Sequence, residues 1–225
     1  MYIDVHTHRH YGEGNSDLMS VYNLFTHNSE TPILNFEQYS IGMHPWHLGA
    51  LPLPEQWWVL ERYACYKEVC AIGECGLDKN ASFSFLEQTK WFLQQARLAE
   101  DLRKPVLIHC VKSYNELLYL RRSSSWQQAW IVHGFRGSLQ LAQELVRVGF
   151  YLSFGGSLLF ENSKLPLVFQ EIPLERVFLE TDNALDLDIA HLYGFSARLR
   201  GMDLAAFSDA LCHNAGECSL FLNFI

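Results

Sequence analysis

No stretch of this chain approaches the roughly 20 consecutive apolar residues that a membrane-spanning helix needs, although 49% of its 225 residues are apolar. Met1 leads straight into "YIDVH", with neither the basic nor the apolar segment of a secretory leader. The expectation is a soluble, cytoplasmic protein with no membrane partner. Positive charge is scarce: 17 Lys and Arg stand against 25 Asp and Glu, for a net charge of −8. That balance excludes an extended basic groove tracking long nucleic acid, but not a short phosphate substrate held through metal ions. The six cysteines (Cys65, Cys70, Cys75, Cys110, Cys212 and Cys218) show no C-x-x-C zinc spacing, and without an export context they are expected to be mostly buried free thiols. Linkers rich in Ser, Gly or Pro, low-complexity tracts, charge runs and fixed-period repeats are all missing. A single domain over residues 1–225 follows, with ample apolar material for one core.

What is present is a recurring alternation. Short β-rich runs appear at "YIDVH", "SVYNLF" (or "PILNF"), "QYSIGMH", "VCAIGE", "PVLIH", "WIVHG", "FYLSFG" and "VFLETD". Their continuous apolar character suits strands buried on both faces of a parallel sheet. Helix-patterned segments separate most of them. Ser84-Phe85-Leu86-Glu87 and Ser113-x-x-Glu116 read as capping boxes, Ser138 as the cap of "LQLAQELVRV", and Gly149 as the left-handed residue beyond it. Eight strands alternating with helices predict an α/β fold, a TIM (β/α)8 barrel. Residues 9–41 are too few for two full βαβ units, so at least one early helix is expected to be missing.

The candidate chemistry sits at the strand ends. His6 and His8 close the first run, Glu74 the fourth, His109 the fifth, His133 the sixth and Asp182 the eighth. The C-terminal ends of barrel strands are where such folds build their sites. Residues i and i+2 on a strand share a face, so His6 and His8 can grip one cation together. Four imidazoles and two carboxylates suffice for two divalent ions if a carboxylate bridges them. Mixed N and O donors suit zinc or manganese, whereas magnesium prefers oxygen. Paired ions activate water for hydrolysis. Asp4 could share the face of His6 and support it, or simply pack at the barrel bottom. His44 in "GMHPW" is a candidate substrate contact. His10, His27, His47, His191 and His213 lack such placement.

These motifs resemble the TatD family of metal-dependent hydrolases, whose known members include deoxyribonucleases. The matching residues are "DVHTH" at 4–8, "GMHPW" at 42–46, "AIGECGLD" at 71–78, "KPVLIHC" at 104–110, "VHGFRGS" at 132–138, "GFYLSFGG" at 149–156 and "FLETD" at 178–182. The resemblance implies a metal pair (Zn, Mn or Mg), with His6 and His8 on the first ion, Glu74 bridging, His109 and His133 on the second, and Asp182 beside the first. It also implies Asp182 as the group that takes the proton of the attacking water, with Glu74 the other catalytic carboxylate. Two departures stand out. Where the family usually has Arg-Asp after the fifth-strand histidine, this chain has Cys110 followed by Val111 and Lys112, which leaves Lys112 and Arg136 as candidate substrate cations. Asn183-Ala184 replace the usual Ala-Pro, and the segment to residue 200 follows no mapped pattern.

The expected activity is metal-dependent phosphodiester hydrolysis, on short or single-stranded DNA. An amidohydrolase acting on an amide, lactone or base would also open with H-x-H, yet commonly bridges its ions with a carboxylated lysine, and no lysine ends a strand here. A histidinol-phosphatase-like phosphoesterase would continue differently after His8. A non-catalytic metal-binding scaffold is the alternative outside enzymes, and the complete ligand set argues against it.

Overall fold

Eight parallel strands form one sheet in the order β1 to β8. The computed structural model describes residues 1–11, 17–28 and 38–221. The strands are β1 (Tyr2–Thr7), β2 (Leu18–Phe25), β3 (Gln38–Gly42), β4 (Val69–Asp78), β5 (Val106–Val111), β6 (Trp130–Val132), β7 (Phe150–Phe154) and β8 (Val177–Leu179). The sheet curls into a nearly closed barrel. Its ends meet just beyond β8, where Thr7 bridges Asp182, the His8 amide donates to the Asp182 carbonyl at 3.0 Å, and the Asp182 amide donates to the His6 carbonyl at 2.9 Å. All eight expected strands are present, and "SVYNLF" supplies the second. The alternative "PILNF" lies outside the described residues.

The helices are α1 (Leu53–Ala64), α2 (Phe85–Leu102), α3 (Tyr114–Arg122), α4 (Leu139–Arg147), α5 (Leu165–Glu171), α6 (Ile189–Leu199) and α7 (Leu204–Glu217). Among the described residues no helix joins β1 to β2 or β2 to β3, consistent with the short segment available there. Ser84 caps α2 by accepting from the Glu87 amide, and Ser138 caps α4 through Leu141. Gly149 takes a positive φ of 98°. Ser113 differs from expectation: α3 starts after it, but its hydroxyl donates to the Val111 carbonyl and Glu116 pairs with Lys79 instead. The left-handed turn at Lys112 (φ 54°) leads directly into Ser113.

Side chains from seven strands (Ile3, Val5, Val21, Ala71, Leu107, Ile131, Tyr151 and Phe178) meet in one cluster, together with Ala215, Cys218, Leu220 and Phe221 from the end of α7. Contacts spanning so many strands place this cluster in the barrel interior, with the α7 terminus as its floor. A second, larger cluster fills the space between strands and helices. Fully burying a Phe or Leu contributes about 1.5–3 kcal/mol, so both layers hold the strand ends in register. Cys70, Cys75, Cys110 and Cys218 are buried free thiols, Cys212 is half-buried and Cys65 exposed. The unmapped segment after Asp182 contains α6, whose Tyr193 hydroxyl accepts from the Ile3 amide at 2.9 Å and donates to its carbonyl at 3.0 Å. It thereby ties α6 to the backbone of β1.

β1 is irregular between Asp4 and Thr7. Without that irregularity, strict alternation would put Ile3 and Val5 opposite to His6 and His8. With it, the apolar pair reaches the interior and the histidines still face the centre of the rim.

Candidate metal centre

Glu74, 4% exposed, occupies the middle of a ring of imidazoles. Its Oε2 lies 3.6 Å from Nε2 of His6 and 3.8 Å from Nε2 of His8. Its Oε1 lies 2.9 Å from Nδ1 of His109, 2.7 Å from Nε2 of His133 and 3.1 Å from Nε2 of His44. Asp182 closes the side nearest β1, its Oδ1 at 3.7 Å from His6 and 3.6 Å from His8. Three sets of donor atoms fall within 4.8 Å of one another: His6, His8 and Glu74; His6, His133 and Asp182; His44, Glu74 and His109. All six expected ligands are therefore together, with His44 among them. His133 stands close to both sides of the ring, its ring centroid 4.4 Å from that of His6.

The backbone explains why these side chains converge. Glycines flank Glu74 on β4 where β5 passes very close. A Cβ on Gly73 would come within 2.3 Å of the Leu107 carbonyl oxygen, and one on Gly76 within 1.9 Å of that of His109. Asn23 on β2 accepts the Glu74 amide at 2.7 Å and the Ser40 hydroxyl at 2.9 Å. From α2, Gln95 clasps the Met43 amide and carbonyl beside His44, and Gln88 does the same for Asp78. These buried amides lock the rim loops from behind.

Two carboxylates that the motif reading passed over complete the ring. Asp78 Oδ2 lies 3.1 Å from Nε2 of His109 and accepts the indole N–H of Trp46 at 2.6 Å. Glu180, 1% exposed, accepts the Gly134 amide at 2.6 Å and sits 3.5 Å from Nδ1 of His133. Strand alternation was the available signal for Asp78, which is four residues from Glu74 on β4 and shares its face; Glu180 lies just beyond β8, two residues before Asp182. Carboxylates behind histidines fix the ring tautomer and direct the other nitrogen inward.

Asp4 does not support His6. It accepts from the Thr181 amide at 3.0 Å, from the Thr181 hydroxyl at 2.6 Å and from Tyr11 at 2.9 Å, because the irregularity in β1 takes it off the face of His6. Lys112 and Arg136 stay outside the ring. Lys112 is exposed and donates to Asn80 Oδ1 at 3.1 Å, and Arg136 lines a separate recess. His27 and His47, which have no strand-end placement, nevertheless pack beside the ring: their centroids are 4.1 Å apart, and His47 is 5.5 Å from His44.

The electrostatics follow from crowding. Burial alone would raise the carboxyl of Glu74, but the charge of His133 and hydrogen bonds from His109, His133 and His44 hold it well below its usual range. Burial would lower His133, yet the negative charges of Glu74 and Glu180 push it well above. His6 is driven well below by burial and by His133. Asp182 is raised, first by burial and then by the charge of Glu180. A buried anion ringed by imidazoles is the arrangement in which a cation displaces a proton.

A family model described as "TatD related DNase" matches residues 34–215, a span that begins after His6 and His8. The chain is 35% identical over 153 residues to "Uncharacterized metal-dependent hydrolase YabD" of Bacillus subtilis, covering 66% of this chain and 59% of that protein. It is 35% identical over 147 residues to "3'-5' ssDNA/RNA exonuclease TatD" of Klebsiella pneumoniae, covering 63% and 55%. In each case the match spans less than two thirds of the relative. In fold, the chain resembles the crystal structure of YjjV, a TatD homolog from Escherichia coli, with a TM-score of 0.76 at 23% identity over 96% of this chain and 97% of that one.

Proposed function

The chain belongs to the TatD-related DNase family, and on that footing we propose that it is a divalent-metal-dependent phosphodiesterase acting on short or single-stranded nucleic acid, DNA in the first instance. The observation that carries this reading is the position of Glu74, whose two oxygens face two different groups of histidines.

The residues fit metal ions on a feature of their own. His6 is wholly buried, and neither ring nitrogen has a hydrogen-bond partner; an orphaned buried polar group is costly, and a cation at Nε2 satisfies it. His6, His8, Glu74 and Asp182 would hold one ion, and Glu74, His109 and His133 a second. Zinc, manganese or magnesium bound there would lower the pKa of a water and neutralise charge on a phosphoryl oxygen, and the imidazole-rich donor set favours zinc or manganese.

The chain's own groups then divide the work. Asp182, its side chain 31% exposed, is the ring carboxylate most open to solvent, which suits it to receive a proton from water. Asp78 accepts from Nε2–H of His109 and leaves Nδ1 free to ligate. The Trp46 amide donates to Nδ1 of His44 at 3.1 Å, so the hydrogen of His44 is on Nε2. His44 thus offers the centre a donor, which suits a substrate oxygen better than an ion. Among the described residues no lysine contacts Glu74 or the imidazoles, so nothing favours the lysine-bridged amide hydrolase. Nucleotide release from single-stranded DNA, measured with added manganese, magnesium or zinc and lost in chelator, tests the proposal. Turnover of carboxyl esters or amides alone would overturn it.

A further inference from the structure

Five basic residues stand in the loops at the C-terminal rim of the barrel: Arg9, Lys79, Lys112, Arg136 and Lys164. Three are engaged. Arg9 donates to the Leu185 carbonyl at 2.6 Å, Lys79 pairs with Glu116, and Lys112 bonds Asn80. Among the described residues the side chains of Arg136 and Lys164 hold no hydrogen bond or ion pair, and both are exposed. They line the same recess of about 370 Å³, together with Gly137, Ser157, Phe160 and Asn162. Phe160 is 64% exposed, a large bare ring set beside two unpaired cations on a chain of net charge −8.

The two loops that line the recess both pack on Glu180, behind His133. One wall is the loop after β6, whose Gly134 amide donates to Glu180 Oε1. The other is the loop after β7, where a Cβ on Gly155 would lie 3.5 Å from Cγ of Glu180. Both walls therefore start at the carboxylate that backs His133.

We propose that this recess is a strand-binding subsite for single-stranded nucleic acid, in which Arg136 and Lys164 meet backbone phosphate and a base stacks on Phe160. The inference rests on the phosphodiesterase reading and extends it, naming where the strand runs beyond the scissile bond. Val111 is apolar and Lys112 is already bonded, so the free positive charge of the rim is concentrated here. Sequence-tolerant strand binding combines these same two elements, cations for phosphate and an aromatic face for a base.

The test separates binding from turnover. Fluorescence anisotropy follows a labelled oligothymidylate binding to chelator-treated protein across a KCl series, for the wild type, Lys164→Ser and Phe160→Ala. The same variants are assayed with manganese on bis(4-nitrophenyl) phosphate, a diester with no strand beyond the scissile bond. Phe160→Ala should weaken oligonucleotide binding about tenfold. Lys164→Ser should reduce the slope of log affinity against log salt by about 0.7, the share of one phosphate on a single strand. Hydrolysis of the small diester should stay within about twofold. Wild-type-like binding by both variants, or no oligonucleotide binding by the wild type, would overturn the subsite. If the wild type binds the oligonucleotide through these residues but hydrolyses neither substrate, the subsite stands and the phosphodiesterase reading fails.

Discussion

Asp78 holds the far nitrogen of His109, its Oδ2 3.1 Å from Nε2, while Nδ1 of the same ring meets Glu74 at 2.9 Å. The imidazole is thereby clamped between two carboxylates, one behind it and one at the centre. Replacing Asp78 with Asn removes the charge and the acceptor that fixes the tautomer. Metal affinity should fall about 10–100-fold, the usual cost of losing such a partner. Competition against a fluorescent zinc chelator measures it; unchanged affinity would mean that the Asp78–His109 contact does not orient a ligand.

Glu74→Gln keeps shape and loses charge at the one position facing both histidine groups. Activity should drop by several orders of magnitude, each tenfold being about 1.4 kcal/mol of transition-state stabilisation, and by far more than in His8→Ala. Steady-state rates on a phosphodiester, with metal content of each variant determined alongside, decide the point. Near-normal turnover would remove Glu74 from the bridge.

Asp4 predicts a pH effect away from the ring. Burial raises its pKa from 3.8 to about 7. Between those values the folded carboxyl keeps a proton that the unfolded chain has lost. Its stabilising contribution is therefore full below about pH 4 and is lost as pH rises through about 7. Asp4→Asn cannot ionise, so its melting temperature relative to the wild type should climb from pH 4 to pH 8, by an amount corresponding to a few kcal/mol (order of magnitude). Thermal melts in chelator across that range provide the check; a flat difference would place no titrating carboxyl at Asp4.

Gly76→Ala would drive a methyl into the His109 carbonyl, with its Cβ 1.9 Å from that oxygen, at a φ of 151° that a side chain resists. β4 and β5 must separate, and with them Glu74 and His109. A loss of several °C in melting temperature, together with weakened metal binding, is expected. Gly201→Ala, where no atom lies within 4 Å of the added Cβ, should leave metal binding intact.

The strands and the six ring residues were legible because both obey local rules. Apolar runs mark strands buried on both faces, and His6, His8, His109, His133 and Asp182 fall at or within three residues of strand ends, whereas Glu74 lies mid-strand on β4, which runs on to Asp78. Asp78 was legible by alternation from Glu74, but only once inward and outward faces are counted along β4; Glu180 was not, because it lies beyond β8 and the backbone turns to a positive φ at Asp182. The place of Asp4 was not, because the irregularity in β1 changes the phase between Val5 and His6, and no residue type announces it. Nor was the role of Tyr193: its hydroxyl serves the backbone of Ile3, 190 positions away, a pairing that depends on how the barrel closes. Leu220 and Phe221 fill the barrel floor although no periodicity marks them. The Ser113 cap failed because the backbone turn at Lys112 offered its hydroxyl a nearer carbonyl.

Asp182→Asn gives the sharpest view of the division of labour. Volume is nearly constant, so folding should persist, and the ion on His109 and His133 should remain bound. Turnover should fall at least a hundredfold, the lower range for loss of a general base. A folded, metal-loaded variant with normal rates would show that Asp182 neither receives the proton nor holds an essential ion.

The most direct test of the account is a titration of chelator-stripped protein with manganese or zinc, following both bound ions per chain and nucleotide release from single-stranded DNA in the same samples. The account predicts no release without metal, and release that rises to completion as two ions are bound per chain, with Glu74→Gln failing to reach that stoichiometry. Nucleotide release in the presence of chelator, or full metal loading without any release, would contradict it.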